Sequence, residues 1–268
     1  MSNNQATDKT MNHTQGHWLL AKMGKKVLRP GGKELTEKML SNLDITSDDD
    51  VVEFAPGLGL TAKMSLDKNP KSYTGVELNQ QAREVALEHL QESDNFGDHC
   101  TIITGNTGAT NLPDESCSKV YGEAMLTMQS DRHKADIIAE AYRILRVGGL
   151  YGIHELGLQP DDISEELKRE IQKELSQVIK VNARPLTVAE WSTLGKEQGF
   201  KVKTTATNAM ALLEPKRLIE DEGVPGAIKI GLNVLTHPEE RQRILAMRKV
   251  FRKYHHHLNA VSLVFEKI

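Results

Sequence analysis

Short hydrophobic runs bounded by glycine, proline and polar residues recur along the chain and predict β-strands. Many of their residues are β-branched or aromatic, which favours extended backbone. The predicted strands are Val51–Phe54, Ser72–Glu77, Cys100–Thr104, Lys119–Tyr121, Leu150–Glu155, Lys201–Thr207 and Ala260–Glu266.

Amphipathic segments separate the first five of these strands. The segment LNQQAREVALEHLQES places Ala82, Val85, Ala86 and Leu90 on one helical face, and DRHKADIIAEAYRILR shows the same periodicity. Alternation of strands and helices indicates parallel β-α-β units. We therefore predict an α/β fold with a Rossmann-like, doubly wound sheet of seven strands.

Three stretches interrupt the alternation and predict helical additions to one domain. They are an N-terminal helical lid at residues 17–49 and helical insertions at 156–199 and 211–258, and the polar residues 1–16 are predicted to be a flexible N-terminus. With no linker or repeat to divide the chain, residues 17–268 are predicted to form a single domain. Such insertions usually shape a pocket.

Composition narrows the classes of protein that the chain can represent. The formal net charge is −3 with 38% hydrophobic residues, so no nucleic-acid partner is expected. The sequence has neither a signal-peptide hydrophobic region nor an 18-residue apolar run, which predicts a cytoplasmic protein without a transmembrane segment. Cys100 is predicted to lie in the core and Cys117 at the surface, and neither belongs to a C-x-x-C pair. We expect no metal site, because the adjacent residues His255–His257 cannot face one point.

The stretch VVEFAPGLGLTAKM contains the candidate cofactor loop. Gly57, Gly59 and Ala62, followed by Glu77, satisfy a G-x-G-x-x-A dinucleotide pattern. However, Glu53 precedes the glycines, and a carboxylate there repels a pyrophosphate and attracts a cation. S-adenosylmethionine carries an ammonium and a sulfonium and no phosphate, so the charge favours it. An NAD-dependent oxidoreductase remains the weaker alternative.

Four segments, VVEFAPGLG, YTGVELN, ITGNTGATNLPDESCSKV and AYRILRVGGLYGIHE, resemble in order the motifs of class I S-adenosylmethionine-dependent methyltransferases. Ala55 replaces the first glycine of the family's motif, and we expect it to need no positive φ. Asn106 replaces an aspartate that contacts adenine. The resemblance implies that the cofactor is held by Glu53, Ala55, Pro56, Gly57, Gly59, Glu77, Leu78, Asn106, Thr107, Glu123 and His17. Glu53 would receive the methionine ammonium, and Glu77 the ribose hydroxyls.

A later segment, RPLTVAEWSTLGKEQGFKV, resembles a helix of small-molecule methyltransferases of the ubiquinone, menaquinone and sterol groups. The family's last strand inserts antiparallel between the fifth and sixth, so we expect that topology here. The implied reaction is in-line methyl transfer to a small-molecule acceptor.

Candidate residues on the acceptor side are few. Methyl transfer from a sulfonium needs a base only if the acceptor arrives protonated. His154 is the first candidate base and Glu155 the second, both expected at the end of the fifth strand. Trp18, Met125 and Arg184 are candidate substrate-binding residues. Arg29 and Arg184 could bind an anionic part of a substrate or the cofactor carboxylate, and a surface role is the alternative for both. Without a certain base, a non-catalytic S-adenosylmethionine-binding protein is a further alternative, and the sequence is compatible with a homodimer.

Overall fold

The computed structural model describes residues 16–25 and 29–268, so the predicted flexible N-terminus lies outside the described residues up to Gln15. The helices in these ranges are α1 Gly16–Lys22, α2 Gly32–Leu43, α3 Leu60–Leu66, α4 Gln80–Gln91, α5 Asp131–Ile144, α6 Glu165–Ile179, α7 Val188–Glu197, α8 Pro215–Thr236 and α9 Pro238–Lys253. The strands are β1 Asp50–Phe54, β2 Ser72–Glu77, β3 Cys100–Thr104, β4 Cys117–Glu123, β5 Leu145–Leu158, β6 Leu186–Thr187, β7 Phe200–Ala209 and β8 Leu258–Lys267.

The strands form one mixed sheet in the order β3-β2-β1-β4-β5-β8-β7, and the two-residue β6 pairs with the far end of β5. The five strands from β3 to β5 are parallel. Strand β8 runs antiparallel to both β5 and β7. The prediction of a doubly wound sheet with an antiparallel last strand is therefore confirmed.

Helices cover both faces of this sheet. On one face, α5 and α7 bury Ile138 and Trp191 against Tyr151 of β5. On the other face, α2, α3 and α4 pack against Tyr73 and Tyr121 of β2 and β4. Successive strand residues point to opposite faces, so each central strand supplies both cores.

A third hydrophobic cluster joins the additional helices to the end of the sheet. It contains Leu19 of α1, Ile171 of α6 and Met247 of α9, together with Leu158 and Leu258 at the paired ends of β5 and β8. No helix among the described residues is both long and apolar enough to cross a bilayer.

Several predicted boundaries were wrong. Strand β5 runs from Leu145 to Leu158, well beyond the predicted Leu150–Glu155, because β4 and β8 together pair with almost its whole length. His154 and Glu155 consequently lie inside the strand and not at its end. Cys117 is 2% exposed, not at the surface, since it begins β4 beneath the end of α5.

Substitution of two glycines by alanine tests the packing of the helices, and the two substitutions should change the stability of the protein in opposite directions. A Cβ on Gly195 of α7 would lie 2.3 Å from Phe265 Cε1, whereas a Cβ on Gly231 of α8 would have no neighbour within 4 Å. Gly195→Ala should therefore destabilise the protein by about 1–3 kcal/mol through overpacking. Gly231→Ala should stabilise it by up to about 1 kcal/mol through helix propensity. Urea denaturation of both variants measures these changes, and stabilisation by both would contradict the packing of α7 on β8.

Candidate active site

Four buried glutamates mark the site, one near the carboxyl end of each of the neighbouring strands β2, β1, β4 and β5. They are Glu77, Glu53, Glu123 and Glu155, called here the four-glutamate row. Their exposed fractions are 7%, 3%, 7% (side chain) and 0%. A buried carboxylate is costly unless donors surround it, so the partners of each one define the site.

Glu77 ties the end of β2 to the glycine loop. Its Oε2 accepts a hydrogen bond from the Gly57 amide at 3.2 Å, and its Oε1 accepts from the Asn79 amide at 2.9 Å. Burial raises the pKa of Glu77, although these amide donors oppose the shift. Leu78 follows with 59% of its surface exposed, so an apolar side chain stands in the open beside the carboxylate.

The glycine loop between β1 and α3 turns through three left-handed residues. Ala55, Gly57 and Gly59 have φ of 53°, 58° and 77°. The expectation that Ala55 needs no positive φ was wrong, and this conformation costs an alanine roughly 1–2 kcal/mol. Gly59 is required for a second reason, because a Cβ there would lie 3.2 Å from the Ala86 backbone of α4. The nearest atom to a Cβ on Gly57 is 4.0 Å away, so the backbone is open at that point.

Glu53 lies in a pocket of tyrosines. The hydroxyls of Tyr73 and Tyr121 donate to its Oε2 at 2.6 Å and 2.7 Å. Burial raises the pKa of Glu53 to about 7, against the lowering effect of the two tyrosine hydroxyls. Glu53 thus lies beneath the loop, and its contact with a methionine ammonium remains a prediction.

Glu123 is the centre of a buried polar network that joins the N-terminal segment to the sheet. Arg29 Nη1 reaches its Oε2 at 2.8 Å, and Thr61 of α3 donates to the same oxygen at 2.5 Å. Thr36 of α2 donates to Oε1 at 2.5 Å, and His154 Nδ1 lies 2.7 Å from that atom. Burial opposes ionisation, but the Arg29 charge and the His154 hydrogen bond outweigh it and hold the pKa of Glu123 at about 2.

The geometry gives no support to the predicted base. His154 is 0% exposed, and its Nε2 lies 2.5 Å from the Pro30 carbonyl oxygen while Nδ1 faces Glu123. Both ring nitrogens therefore have acceptor partners. Glu155 is equally committed, because its two oxygens accept hydrogen bonds from the Met125, Leu126 and Thr127 amides. Glu155 thus fixes the shape of the loop after β4, and His154 is held between Glu123 and the Pro30 carbonyl.

The remaining predicted residues are distributed around the row. Asn106 is exposed, and its Oδ1 accepts from the Gly108 amide at 2.9 Å, with Thr107 partly exposed inside that turn. Pro56 is buried at the start of the glycine loop. Met125 is only 6% exposed and belongs to the hydrophobic core, so it does not line an open cleft.

Three predicted residues belong to the segments added around the sheet, with Arg184 in the loop between α6 and β6. Arg184 pairs with Asp131 at 2.9 Å, and its backbone amide donates to the Thr127 carbonyl after β4. His17 and Trp18 belong to α1, but their side chains lie outside what the structure describes.

Arg29, for which the sequence left a surface role open, is buried in the structure. Its side chain packs against Glu123 and Thr61, and its Nε is buried with no hydrogen-bond partner among the described residues. A buried guanidinium donor without an acceptor is costly and indicates a place for an anionic group. Arg29 belongs to no motif, so the fold was needed to decide between the surface role and the binding of an anionic group.

The residues in and beside the four-glutamate row have the chemical groups that S-adenosylmethionine requires. Glu77 can accept two hydroxyls, Leu78 offers an exposed apolar contact, Gly57 leaves the loop backbone accessible, and Arg29 Nε lacks an acceptor such as a carboxylate.

Comparison with known proteins agrees with the fold. The family model described as a methyltransferase domain matches residues 52–153. An uncharacterized protein of Haemophilus influenzae is 32% identical over 252 residues, covering 94% of this chain and 98% of that protein. The chain belongs to the class I S-adenosylmethionine-dependent methyltransferases.

Two solved structures share the fold at low identity. Phosphoethanolamine N-methyltransferase 2 of Haemonchus contortus, in complex with S-adenosyl-L-methionine, superposes with a TM-score of 0.72 at 17% identity, over 97% of this chain and 58% of that chain. The [4+2]-cyclase SpnF has a TM-score of 0.72 at 13% identity, over 95% and 93% of the two chains. Because the methyltransferase family model matches the chain, the oxidoreductase alternative is set aside.

The raised pKa of Glu53 predicts a pH-dependent stability that Glu53→Gln removes. Because the folded-state pKa lies at about 7 and the ordinary value is 4.5, the folded protein binds more protons between these values. Wild-type stability relative to Glu53→Gln should fall by about 3 kcal/mol as the pH rises from 4.5 to 8. Urea denaturation across this range measures the difference, and parallel profiles for the two proteins would show that Glu53 titrates normally.

Proposed function

We propose that this methyltransferase transfers the methyl group of S-adenosylmethionine to a small-molecule acceptor by in-line displacement. The observation that carries the proposal is the position of Glu77, whose carboxylate stands at the end of β2 and contacts the amide of Gly57. A carboxylate at this position supports the proposal, because it can accept both ribose hydroxyls beside the open backbone of the glycine loop. Leu78, Asn106 and Thr107 are close in sequence to strand ends β2 and β3, on the side expected for adenine.

The amino-acid part of the cofactor is assigned to the other end of the row. Arg29 supplies a buried donor without an acceptor, which suits the methionine carboxylate. Glu53 contributes negative charge beneath the same loop, and Ala55, Pro56 and Gly59 shape it. Glu123 holds Arg29 in place through their 2.8 Å ion pair, so it acts as a positioning residue.

The chemistry fits a site built for positioning. S-adenosylmethionine supplies an activated methyl group on a sulfonium with a good leaving group. The protein therefore has to orient an acceptor and exclude water, and it needs no covalent nucleophile. His154 and Glu155 serve this role indirectly, because they fix Glu123 and the loop Met125–Thr127. An acceptor that is already nucleophilic at neutral pH is the kind that this arrangement favours.

A non-catalytic S-adenosylmethionine-binding role is the second candidate. The engaged nitrogens of His154 favour it, since they leave no free base at β5. A fold alone does not fix a reaction. Candidate acceptors can be screened for release of S-adenosylhomocysteine, and release that depends on an acceptor would favour methyl transfer over a non-catalytic role.

Calorimetric titration with S-adenosylmethionine, S-adenosylhomocysteine and NADH tests the cofactor assignment. We expect wild-type protein to bind the first two and not the third. Glu77→Gln should weaken binding about 10- to 100-fold, because hydrogen bonds to a charged group contribute about 1.5–3 kcal/mol. Glu88→Gln, an exposed glutamate on α4, is the matched control and should bind normally. Binding of NADH, or equal effects of the two substitutions, would contradict the assignment.

The Arg29 assignment has its own test. Arg29→Lys keeps a positive charge beside Glu123 but removes Nε, so affinity for S-adenosylmethionine should fall about 5- to 30-fold. Affinity for 5′-methylthioadenosine, which lacks the amino-acid part, should change by less than about twofold. Calorimetry with both ligands measures the contrast. An equal loss for both would mean that Arg29 only supports the loop.

A further inference from the structure

A cationic groove of about 450 Å³ lies between α6 and the loop that leads from α6 to β6. All of the side chains that line it carry hydrogen-bond donors, and none of them is acidic. They include Arg169, Lys173, Arg184, Gln172, Gln177 and Asn182. Its volume falls within the range of sites for small molecules.

The helical spacing of α6 separates Arg169 and Lys173 from the two glutamates of this helix that bind Lys253, whereas Glu166 lies on the same face as these cations. Arg169 and Lys173 are four residues apart and therefore neighbours on one face. Glu170 and Glu174 lie on another face, where they bind Lys253 at 3.0 Å and 2.6 Å. Ile171 is buried on the inner side of the helix. The acids of α6 that carry ion pairs are thus committed away from the groove.

The positive charge of the groove is only partly paired within the described residues. Arg169 and Lys173 form no ion pair there, and Glu166, one turn before Arg169, does not pair with it. Arg184 contacts Asp131 at 2.9 Å, but Asp131 also binds the buried Lys134 at 3.2 Å. Of the three cations of the groove, one therefore has a carboxylate partner, and it shares that carboxylate with a fourth cation.

The groove is connected to the candidate active site through the backbone. The Arg184 amide donates to the Thr127 carbonyl at 2.8 Å, and Thr127 in turn donates to Glu155 in the four-glutamate row. One wall of the groove is therefore fixed to the loop after β4, beside which an acceptor would be expected.

We propose that this groove is a binding site for a small molecule that carries a phosphate group. Two guanidinium groups, one ammonium and three amides suit the several acceptor oxygens of a phosphate, and arginine recognises such oxygens with paired donors. The phosphate belongs either to the methyl acceptor, in which case the inference deepens and rests on the proposed function, or to a free anion that binds beside it.

Titration with inorganic pyrophosphate tests the groove without knowledge of the acceptor. Wild-type protein at low ionic strength should bind it, and binding should weaken as salt is added. Arg169→Gln combined with Lys173→Gln should weaken binding at least tenfold. The matched control is Lys201→Gln with Lys203→Gln, which removes the same charge from exposed positions of β7 and should change the affinity by less than twofold. No binding by the wild type, or an equal loss in both double variants, would overturn the proposal.

Two further measurements are needed. The first distinguishes a phosphate on the methyl acceptor from a free anion, and the second distinguishes failure of this proposal from failure of the proposed function. Methyl transfer from labelled S-adenosylmethionine is compared for small phosphate esters and their dephosphorylated counterparts. A preference for esters that the groove variant abolishes identifies the acceptor as the ligand, whereas pyrophosphate binding without that preference identifies a free anion. The groove variant should bind S-adenosylmethionine like the wild type. Failure of every protein to bind S-adenosylmethionine would defeat the proposed function and leave the pyrophosphate result standing.

Discussion

The cost of burying carboxylates at the carboxyl end of a parallel sheet organises this site. Four neighbouring strands each bring a glutamate to that edge, and an uncompensated charge there would cost several kcal/mol. Each glutamate meets the cost with a different set of donors, namely two tyrosine hydroxyls for Glu53, loop amides for Glu77 and Glu155, and charged and hydroxyl groups for Glu123. The loops that would surround a ligand are held in shape by satisfying these side chains.

The different donor sets give neighbouring glutamates different properties. The two tyrosine hydroxyls do not outweigh the effect of burial, so the pKa of Glu53 rises to about 7. Burial also acts on Glu123, but the charge of Arg29 and the His154 hydrogen bond outweigh it and hold the pKa of Glu123 at about 2. Glu123 is therefore a permanent anion that keeps Arg29 in the site, and Arg29 lies in the segment ahead of α2. The ion pair thus joins the N-terminal additions to the sheet at the point where the cofactor's charged end is expected.

The sequence predicted the parts of this arrangement that depend on local pattern. Ser72–Glu77 and Cys100–Thr104 have the predicted bounds because hydrophobic runs ended at turn residues, and Glu77 followed from its place after a strand. The role of His154 could not be predicted, since its partners Pro30 and Glu123 are far away in the sequence. Ala55 was misjudged because its φ of 53° goes against the preference of an alanine, so the residue type gives no sign of it.

The absence of a free base at β5 has a consequence for the acceptor. The two side chains predicted for that role, His154 and Glu155, instead form hydrogen bonds to backbone groups and, for His154, to Glu123. Few polar side chains at these strand ends therefore remain free to act on an acceptor. In the proposed function, acceptor recognition therefore falls to the segments added around the sheet. The groove on α6 suits this role, because Arg169 and Lys173 form no ion pair among the described residues and its wall is bonded to the loop after β4. The sheet edge and the added helices would then divide cofactor binding from acceptor choice, in keeping with the rule that a fold alone does not fix a reaction.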